Sequence, residues 1–492
     1  MERNLTEQEL VRRGKIAKLV EAGIKPFGHR FDRTDSTESI RDFAKNLSKE
    51  ELEEKLHEIS TAGRIMFIRK MGKASFFNIQ DQTGQIQAFI QRDNVGDEVY
   101  EIFKSADLGD IVGIKGAIMR TKTGEITVKV SEYTHLVKAL KPLPEKYHGL
   151  TDVEERYRRR YVDLIVNEEA RKVAFLRPKI IRAIQHYFDK RGFVEVETPV
   201  LQPILGGANA RPFVTHHNTL DKDFYLRIAT ELPLKRLLVG GMEKVYEIGR
   251  LFRNEGMSPR HNPEFTTVEA YLAYGNLDDM FTLAEELIRE VAIEVTGGTL
   301  LPYGDRLIEV GQPFKRVHMV DAIKEKIGVD FWQHITLEEA KLLAKKHGVR
   351  VEKHYTTGHI INEFFETFCE DDLIQPTFVY GHPLEVSPLT SKSEDPRFTE
   401  RFELYINAAE IANAYTELND PIDQRKRLED QLKAKELGDE EANEIDEDFL
   451  EALEYGMPPA GGIGIGIDRL VMILTNQPSI REVILFPTMR DR

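Results

Sequence analysis

The sequence predicts an α+β protein of more than one domain, in which a small β-barrel precedes a larger domain of strands and helices. Three observations support this architecture. A chain of 492 residues is too long to fold around a single hydrophobic core. Five short β-type runs follow one another between residues 61 and 136. From residue 153 onward, helical patterns alternate with strands and with a glycine-rich segment near the C-terminus.

The first part of the chain, residues 1–60, is predicted to be a helical extension. Residues 5–24 and 45–60 both have the amphipathic pattern of a surface helix. The β-type runs that follow, separated by turn signals such as DQTG and TKTG, are GRIMFIRKMG, ASFFNIQD, GQIQAFIQ, DIVGIKGAIMRT and GEITVKVSEYTHL. Five short strands within about 80 residues are typical of a Greek-key barrel of the oligonucleotide-binding (OB) type, which we expect at 61–145.

The second part of the chain follows the prolines of KALKPLPEKYHGL (138–150), and we place a linker at 146–170. Residues 153–193 are helical in pattern and basic at their start, and the strand VEVETPVLQPI comes next. We expect a domain of sheet and helices at 171–492. Helical patterns within about 321–372 interrupt this domain and are interpreted as an insertion.

Composition excludes several classes of protein. No apolar run reaches the roughly 18 residues that a membrane span requires, and the N-terminal segment has no apolar signal core. The single cysteine, Cys369, excludes an intrachain disulfide and a cysteine-rich zinc site, so we expect a cytoplasmic protein without a membrane partner. The net charge of −15 is uneven, because residues 1–145 carry a balance of +1. Net charge therefore does not exclude a nucleic-acid partner at one face.

The segment FRNEGMSPRHNPEF (252–265) joins two strand-like runs, EIGRLFRNE and FTTVEAY. Side chains alternate between the faces of a strand, so pairing through this loop brings one set to a common surface. That set is Glu247, Leu251, Arg253, Glu255, Phe265, Thr267, Glu269 and Tyr271. An arginine, carboxylates and aromatic rings suit a polyanion that carries an aromatic base. A solvated antiparallel face with cross-strand ion pairs has the same pattern.

The segment PPAGGIGIGIDRLVMILTN (458–476) is glycine-rich and runs into an apolar helix. Gly464 and Gly466 permit close approach of the backbone to a ligand, and Arg469 can meet a phosphate. Tight packing of a helix on a strand explains the glycines equally well. The segment is not a P-loop, since no GKS or GKT follows.

The segment RFELYINAAEIANAYTELND (401–420) is rich in acids. Glu403 and Glu410 are seven residues apart, which on one strand places them on opposite faces, so a helix or a bulge is required to bring both to one metal. Carboxylates are nonetheless the ligands that Mg²⁺ prefers when it also binds phosphates. Period two places three further residues on one face: Asn413, Tyr415 and Glu417.

Together, these three segments resemble the class II (subclass b) aminoacyl-tRNA synthetases, most closely the lysyl-tRNA synthetases. The three motifs of that family follow one another along the chain, behind a barrel. The first family motif resembles residues 178–200, which in the family build the dimer interface; the second is 252–265 and the third is GIGIGIDRL. The resemblance covers nearly the whole chain. It implies an antiparallel-sheet catalytic domain, a homodimer, and an enzyme that uses ATP to attach L-lysine to the 3′ end of tRNA(Lys).

The resemblance also implies residues that bind ATP. Arg253 would contact both the amino-acid carboxylate and the α-phosphate, and it would act in catalysis. Glu255 and Asn262 would contact the adenine end, while Phe265 would stack on the base.

At the phosphate end, the resemblance implies a cationic set and a metal. Arg260, His261 and Arg469 would lie near the outer phosphates, with Arg469 as the second catalytic residue. Glu403, assigned to the ATP site as well, and Glu410 would be the Mg²⁺ ligands.

The lysine-binding set is likewise implied by the resemblance: Gly207, Glu231, Arg253, Glu269, Tyr271, Asn413, Tyr415 and Glu417. Gly207 and Glu231 would hold the α-amino group, and Glu417 with Tyr271 would meet the ε-ammonium. Glutamates suit a cationic substrate, because burying an unpaired ammonium is costly. Asn209 departs from the small residue expected in its loop, which leaves the loop geometry open but not the substrate class.

In the barrel, Arg69, Phe76 and Gln87 match positions that the family uses to bind anticodon bases. Barrels of this type bind unpaired bases by aromatic stacking and polar edge contacts. Phe77 alternates with Phe76, so one of the pair is expected in the core. Three alternatives stay open: a sister enzyme for aspartate or asparagine, a ligase that attaches lysine to a protein, and a non-catalytic nucleic-acid-binding module.

Overall fold

A computed structural model describes residues 4–144, 150–208, 210–436 and 445–491. The chain divides into two compact units, Met1–Leu150 and Thr151–Arg492. Two sequence predictions fall partly or wholly outside the described residues: the linker at 146–149, and the loop at Asn209.

The first unit is a closed five-stranded barrel with helices before its first strand and between its third and fourth strands. The helices are α1 (Glu7–Glu21), α2 (Thr37–Ala44), α3 (Lys49–Lys55), α4 (Arg92–Val95) and α5 (Asp97–Ser105). The strands are β1 (Glu58–Met71), β2 (Ala74–Gln80), β3 (Gln85–Gln91), β4 (Ile111–Arg120) and β5 (Ile126–Val137). They close in the order β1-β2-β3-β5-β4, which confirms the predicted barrel.

Helices α1 to α3 occupy much of the predicted extension, residues 1–60, and each begins at a Ser or Thr capping box. The helix predicted at 45–60 is shorter than expected. It ends before Leu56, whose φ of 40° is left-handed, and β1 starts two residues later. Ile59 is then buried in the barrel core, so apolar burial favours a strand over the last turn of the helix.

The second unit contains a large sheet, two small sheets and many helices. Its described helices are α6 (Val153–Arg158), α7 (Arg160–Val166), α8 (Glu168–Lys190), α9 (Glu231–Val239), α10 (Leu277–Thr296), α11 (Met319–Ile327), α12 (Leu337–His347), α13 (Thr357–Phe368), α14 (Pro421–Glu436), α15 (Glu447–Glu454), α16 (Ile467–Leu474) and α17 (Ile480–Val483). Its described strands are β6 (Val194–Glu195), β7 (Leu201–Gln202), β8 (Val214–His217), β9 (Lys222–Leu226), β10 (Lys244–Phe252), β11 (Glu264–Ala273), β12 (Leu300–Tyr303), β13 (Arg306–Glu309), β14 (Lys315–His318), β15 (Thr377–Tyr380), β16 (Arg401–Ile406), β17 (Ala409–Thr416) and β18 (Ala460–Gly466).

The large sheet has the strand order β14-β15-β16-β17-β18-β11-β10-β6. Its inner strands pair antiparallel, as expected for this domain. The two edge strands, β14 and β6, pair parallel with their neighbours, so the sheet is mixed. Helices α8, α10 and α16 cover one face, where Ile184, Leu287 and Val471 join Phe402 and Ile465 in the main core. The other face is left for the site.

Two predicted segments have structure of their own. Helices α6 and α7 lie within the predicted linker, 146–170, and belong to the second unit. The Arg160 side chain in α7 is buried and donates to Asp163 Oδ2 at 2.7 Å. Helices α11 to α13, in the region predicted as an insertion, pack around a separate core that includes Phe331 and Phe364. Among the described residues, no helix is long and apolar enough to cross a membrane.

Candidate active site

A cavity of about 440 Å³ opens on the free face of the large sheet, formed by β10, β11, β16, β17, β18 and adjoining loops. It is lined by nearly all the residues predicted for the second unit. These are Gly207, Glu231, Arg253, Glu255, Arg260, His261, Asn262, Phe265, Glu269, Tyr271, Glu403, Glu410, Asn413, Tyr415 and Arg469. Glu417 is not among the lining residues described. The predicted ATP-binding set, the two metal ligands and all of the lysine-binding set except Glu417 therefore meet in a single cavity.

Strands β10 and β11 pair as the alternation predicted, with Leu251 opposite Phe265 and Glu247 opposite Glu269. Glu247 is nevertheless absent from the described cavity lining, contrary to the shared face that period two suggested. Its carboxylate accepts hydrogen bonds from Arg227 Nη1 at 2.5 Å and from Thr198 Oγ1 at 2.7 Å. Glu247 is therefore bound to the buried Arg227 and supports the site without lining the described cavity.

One end of the cavity is acidic and buried. We use "acidic end" for Glu231, Lys235, Glu269, Tyr271, Tyr415 and Glu417. Lys235 lies one helical turn after Glu231 in α9, and its ammonium pairs with Glu231 Oε1 at 2.6 Å and with Glu417. Tyr415 OH donates to Glu231 Oε2 at 2.5 Å. Lys235 and Glu417 are both completely buried, so the Glu417 carboxylate depends on Lys235, while Lys235 has Glu231 as a second partner.

Electrostatics at the acidic end reflect this burial. Burial alone lowers the pKa of Lys235, but the charges of Glu231 and Glu417 outweigh it and the net pKa is raised. Burial raises the pKa of Glu417 above its ordinary value, although Lys235 opposes the shift. For Glu269, burial and then the charge of Glu231 raise the pKa to about 7, against a hydrogen bond from the Thr230 N–H. The end is thus poised to accept positive charge.

Gly462 in β18 explains part of the glycine-rich segment. A Cβ added there would lie 1.9 Å from Glu417 Oε1 and 2.6 Å from Tyr271 Cε1. Glycine is therefore required for the acidic end to pack. The two glycines singled out from the sequence, Gly464 and Gly466, have no atom closer than 3.6 Å to such a Cβ, and both line the open cavity.

Glu403 and Glu410 reach the same cavity through a hairpin, which the sequence reasoning missed, and through a register irregularity of the bulge type that it allowed. They lie on different strands, β16 and β17, joined by a turn at Asn407 and Ala408, which both have left-handed φ. A register shift follows Leu404, so that Tyr405 pairs with Glu410. The hairpin and its irregularity bring together two carboxylates that one straight strand would separate.

Glu403 is held by several donors. Tyr405 OH donates to its Oε2 at 2.6 Å, Arg401 Nη2 donates to its Oε1 at 2.6 Å, and His382 Nε2 lies 3.4 Å from Oε2. Burial opposes ionisation, but His382, Arg401 and the Tyr405 hydrogen bond outweigh it and lower the pKa of Glu403 well below its ordinary range. Arg401 was missed from the sequence, although period two places it on the same face as Glu403.

The opposite end of the cavity is cationic and more open. We use "cationic end" for Arg260, His261, Glu410 and Arg469. Arg260 Nη1 donates to Ala408 O at 2.6 Å, and Arg469 Nη1 donates to Glu410 O at 2.5 Å. Arg469 Nη2 lies 3.2 Å from His261 Nε2. Burial and the positive charges of Arg469, Arg260 and Arg253 lower the pKa of His261. This end accepts negative charge.

Arg253 lies where the two ends meet, just after the last residue of β10. Its Nη2 lies 3.5 Å from Ile228 O, and its guanidinium carbon lies 5.3 Å from the centre of the Phe265 ring. Nearby, Asn262 is buried and donates to Glu264 O at 2.6 Å, whereas Glu255 is exposed. Because the contacts of Arg253 with Ile228 O and with the Phe265 ring are long, its guanidinium is available to an anion.

A further wall, residues 386–390, was not predicted from the sequence. Arg427 Nη1 in α14 donates to Thr390 O at 2.5 Å and to Ser387 O at 3.3 Å. Gln424 Nε2 donates to Pro388 O at 3.1 Å. A helix more than thirty residues away along the chain thus fixes this wall, and no local sequence signal indicates that contact.

The carboxylates of the cavity fit a metal that arrives with a phosphate ligand. Among the described residues, no group of three or more His, Cys, Asp or Glu could hold a metal ion. Glu403 and Glu410 supply two carboxylates beside the cationic end. Mg²⁺ is typically bound through one or two carboxylates together with substrate phosphates and water. The donor set is therefore suited to Mg²⁺ carried by a nucleotide.

On the barrel, Phe76 of β2 lies between Arg69 of β1 and Phe89 of β3 in the pairing register. Its ring is half-buried, 4.8 Å from the Phe89 ring, whereas Phe77 is completely buried in the core. Gln87 lies next to this group in β3 and accepts a hydrogen bond from Thr127 Oγ1 at 2.8 Å. The three predicted residues thus share the outer surface of neighbouring strands.

Comparison with known families gives the class. The model of tRNA synthetases class II (D, K and N) matches residues 152–490, and the model of the OB-fold nucleic acid binding domain matches residues 59–136. The chain therefore belongs to the class II tRNA synthetases, with an N-terminal OB-fold domain.

Individual relatives are similar over almost the whole chain. Lysine–tRNA ligase of Lysinibacillus sphaericus is 60% identical over 487 residues, 99% of this chain and 97% of the relative. Lysine–tRNA ligase of Enterococcus faecalis is 60% identical over 488 residues, 99% of this chain and 98% of the relative. That of Bacillus subtilis is 58% identical over 489 residues, with the same coverage.

Proposed function

We propose that this chain activates L-lysine with ATP and transfers it to the 3′ end of tRNA(Lys), releasing AMP and pyrophosphate. One observation carries the proposal: a single cavity joins a buried acidic end to an open cationic end. The first suits an amino acid with two ammonium groups, and the second suits a triphosphate. Relatives named Lysine–tRNA ligase, 58–60% identical over 99% of the chain, support it.

In the acidic end, Gly207 and Glu231 would bind the α-ammonium of lysine. Glu417 and Tyr271 would bind the ε-ammonium, with Glu269 close by. Support comes from the burial of these acids and from the raised pKa of Glu269, which a neighbouring ammonium would reverse. Asn413 would also lie near the ε-ammonium, and Tyr415, which donates to Glu231, would complete the lysine-binding set.

In the first step, a lysine carboxylate oxygen attacks the α-phosphorus of ATP while the bond to the bridging oxygen of pyrophosphate breaks. The carboxylate is already ionised at neutral pH, so the protein supplies alignment and charge, not a base. Arg253 would bind the carboxylate and the α-phosphate together. Arg260, His261 and Arg469 would bind the outer phosphates and stabilise the departing charge.

The other residues of the proposed ATP site would bind the adenine and the metal. Glu255 and Asn262 would contact the adenine, and Phe265 would stack on it. Glu403 and Glu410 would hold Mg²⁺, which when bound neutralises phosphate charge. The low pKa of Glu403 supports this assignment, because a metal ligand must be deprotonated.

In the second step, the 3′-hydroxyl of the terminal tRNA ribose attacks the lysyl carbonyl and AMP leaves. Arg69, Phe76 and Gln87 would bind anticodon bases, since they share one surface of the barrel. We also propose a homodimer built through residues 178–200, as in the family, and a cytoplasmic location, in keeping with a single cysteine.

The first experiment is amino-acid-dependent ATP–pyrophosphate exchange without tRNA, over the twenty standard amino acids and ornithine. Exchange confined to lysine and weakly to close analogues is the expected result. Exchange with aspartate or asparagine would contradict the lysine assignment but retain the ATP site. No exchange from a folded, Mg²⁺-supplied sample would contradict both.

A second arm tests the acceptor. Charging of a tRNA(Lys) transcript with lysine is expected, and a transcript with replaced anticodon bases should be charged much less efficiently. Exchange without charging of any tRNA would contradict the tRNA step alone, and it would favour a different acceptor.

A further inference from the structure

Arg401 in β16 lines the cavity and bonds to three separate parts of its wall. Its Nε donates to Asn413 Oδ1 at 3.0 Å, on β17. Its Nη2 donates to Glu403 Oε1 at 2.6 Å. Its Nη1 donates to Val386 O at 2.7 Å and to Ser387 Oγ at 3.1 Å, in the unpredicted wall. One side chain thus joins the amino-acid side of the cavity to the carboxylate that faces the phosphates.

The rigid shape of the guanidinium links the three parts of the wall mechanically. Its N–H groups form a rigid planar fork, so a shift at one nitrogen moves the other two. Because Arg401 is mostly buried, its contacts are exposed to little competition from water. In the proposed function, Asn413 would lie near the ε-ammonium of lysine, and Glu403 would hold the metal of ATP. A ligand that orders one of these residues therefore orders the other through the same plane.

We propose that Arg401 is a positioning residue that couples the binding of lysine to the binding of Mg·ATP. The inference rests on the proposed function, since both ligands come from it. Lysine held against Asn413 fixes the guanidinium, which fixes Glu403 for the metal before the nucleotide arrives. Coupling between two sites is reciprocal, so each ligand tightens the binding of the other by the same factor. We expect a factor above about 5, within the usual range for coupled sites.

The test is calorimetric and needs no catalysis. Lysine is titrated into the full-length protein with and without saturating Mg²⁺ and α,β-methylene-ATP, whose bridging carbon prevents the reaction. The ratio of the two Kd values is the coupling factor. It is measured for the wild type, for Arg401→Lys, and for the control Arg397→Lys.

Arg397 is a matched control. Its side chain is 28% exposed, against 15% for Arg401. It is likewise forked, with bonds to Asp395 Oδ1 and Oδ2 and to the carbonyls of Phe331 and Trp332, yet it does not line the described cavity. Arg401→Lys keeps the charge but loses the fork. We expect its coupling factor to fall to about 1. We expect Arg397→Lys to keep the wild-type factor.

Each alternative result has a definite meaning. A wild-type factor in Arg401→Lys, or no coupling in the wild type, would overturn the inference while leaving the proposed function intact. A wild type that binds no lysine would overturn the proposed function and the inference together. Thermal unfolding checks the fold of each variant. If Arg401→Lys does not fold, Ser387→Ala removes one acceptor of the same fork, and an unchanged factor in it would count against the inference.

Discussion

The two ends of the cavity handle charge in opposite ways. At the acidic end, Lys235 and Glu417 are completely buried and are already paired with each other. At the cationic end, Arg260 and His261 are exposed, and Arg469 is bonded mainly to a backbone carbonyl. Charges removed from water must be paired, because the cost of leaving them unpaired is several kcal/mol each. Exposed arginines are solvated and carry no such requirement.

This difference indicates that the acidic end is more preorganised than the cationic end in the ligand-free protein. The acidic end is preformed, so it can select an amino acid by shape and charge before any other ligand binds. At the cationic end, Arg260 and Arg469 each donate to a backbone carbonyl and stay in contact with water, so this end is less enclosed. Arg253 stands between the ends, and three changes test how far the contrast holds.

The largest effect is expected for Arg253→Ala. Arg253 is proposed to bind both the carboxylate and the α-phosphate, so removing its guanidinium should lower the rate of ATP–pyrophosphate exchange by roughly 10²–10³-fold, as for other donors to a transition state. The matched control is Arg250→Ala, three residues earlier in β10 and paired at the surface with Glu264 at 2.5 Å. A surface pair contributes about 0–1 kcal/mol, so little change is expected there. Equal losses in both variants would contradict a special role for Arg253.

A smaller and selective effect is expected for Glu417→Gln. The variant keeps the shape of the acidic end but loses one charge toward the ε-ammonium, a loss of about 1.5–3 kcal/mol. The KM for lysine in the exchange assay should rise by roughly 10–100-fold, while the KM for ATP stays within about twofold. Glu264→Gln, on the outer surface, is the control. A parallel rise in both KM values would mean that Glu417 does not affect lysine binding selectively.

The smallest effect is a dependence on pH. Below about pH 7, Glu269 is protonated and the acidic end is less negative; above it, the carboxylate is ionised. The Kd for lysine, measured by calorimetry without ATP, should therefore fall about tenfold between about pH 6 and about pH 8. The neighbouring groups are Glu231, Arg253 and Glu417, with Tyr271 OH beside the same carboxylate.

Glu269→Gln is expected to remove this dependence, and a persistent tenfold change in that variant would assign the titration to another group. Thermal stability gives an independent check of the sign. Folding raises the pKa of Glu269 above its ordinary value of 4.5, so the ligand-free protein should lose stability as pH rises from about 4.5 through about 7.

Local patterns gave most of the architecture. The five barrel strands and the β10–β11 hairpin follow from alternation and turn residues, and the structure has them. Alternation failed where the chain turns or changes partner. On one strand Glu403 and Glu410 would lie on opposite faces, whereas in the structure a turn at Asn407 and Ala408 and a register shift after Leu404 separate them. Period two also grouped Glu417 with Asn413, but β17 ends before Glu417, whose carboxylate lies against Lys235.

Contacts between distant segments could not be predicted in this way. Lys235 stands four residues from Glu231 in a helical pattern, which was a usable signal for one of its pairings, whereas its pairing with Glu417 depends on the tertiary fold. The wall at 386–390 is held by α14, and only packing decides that contact. Sequence patterns therefore identify the side chains of the site more readily than the groups that hold them.

Lys235 also determines the net charge of the acidic end. Three carboxylates, of Glu231, Glu269 and Glu417, share one internal ammonium, so two negative charges remain when all are ionised. In the proposed complex, lysine would bring two ammonium groups to this end, and its carboxylate would bind Arg253. Ornithine brings the same two charges on a chain one methylene shorter, and a single methylene typically discriminates by only about 1–3 kcal/mol. Charge thus selects the diamino acids as a class, and the length of the pocket selects among them.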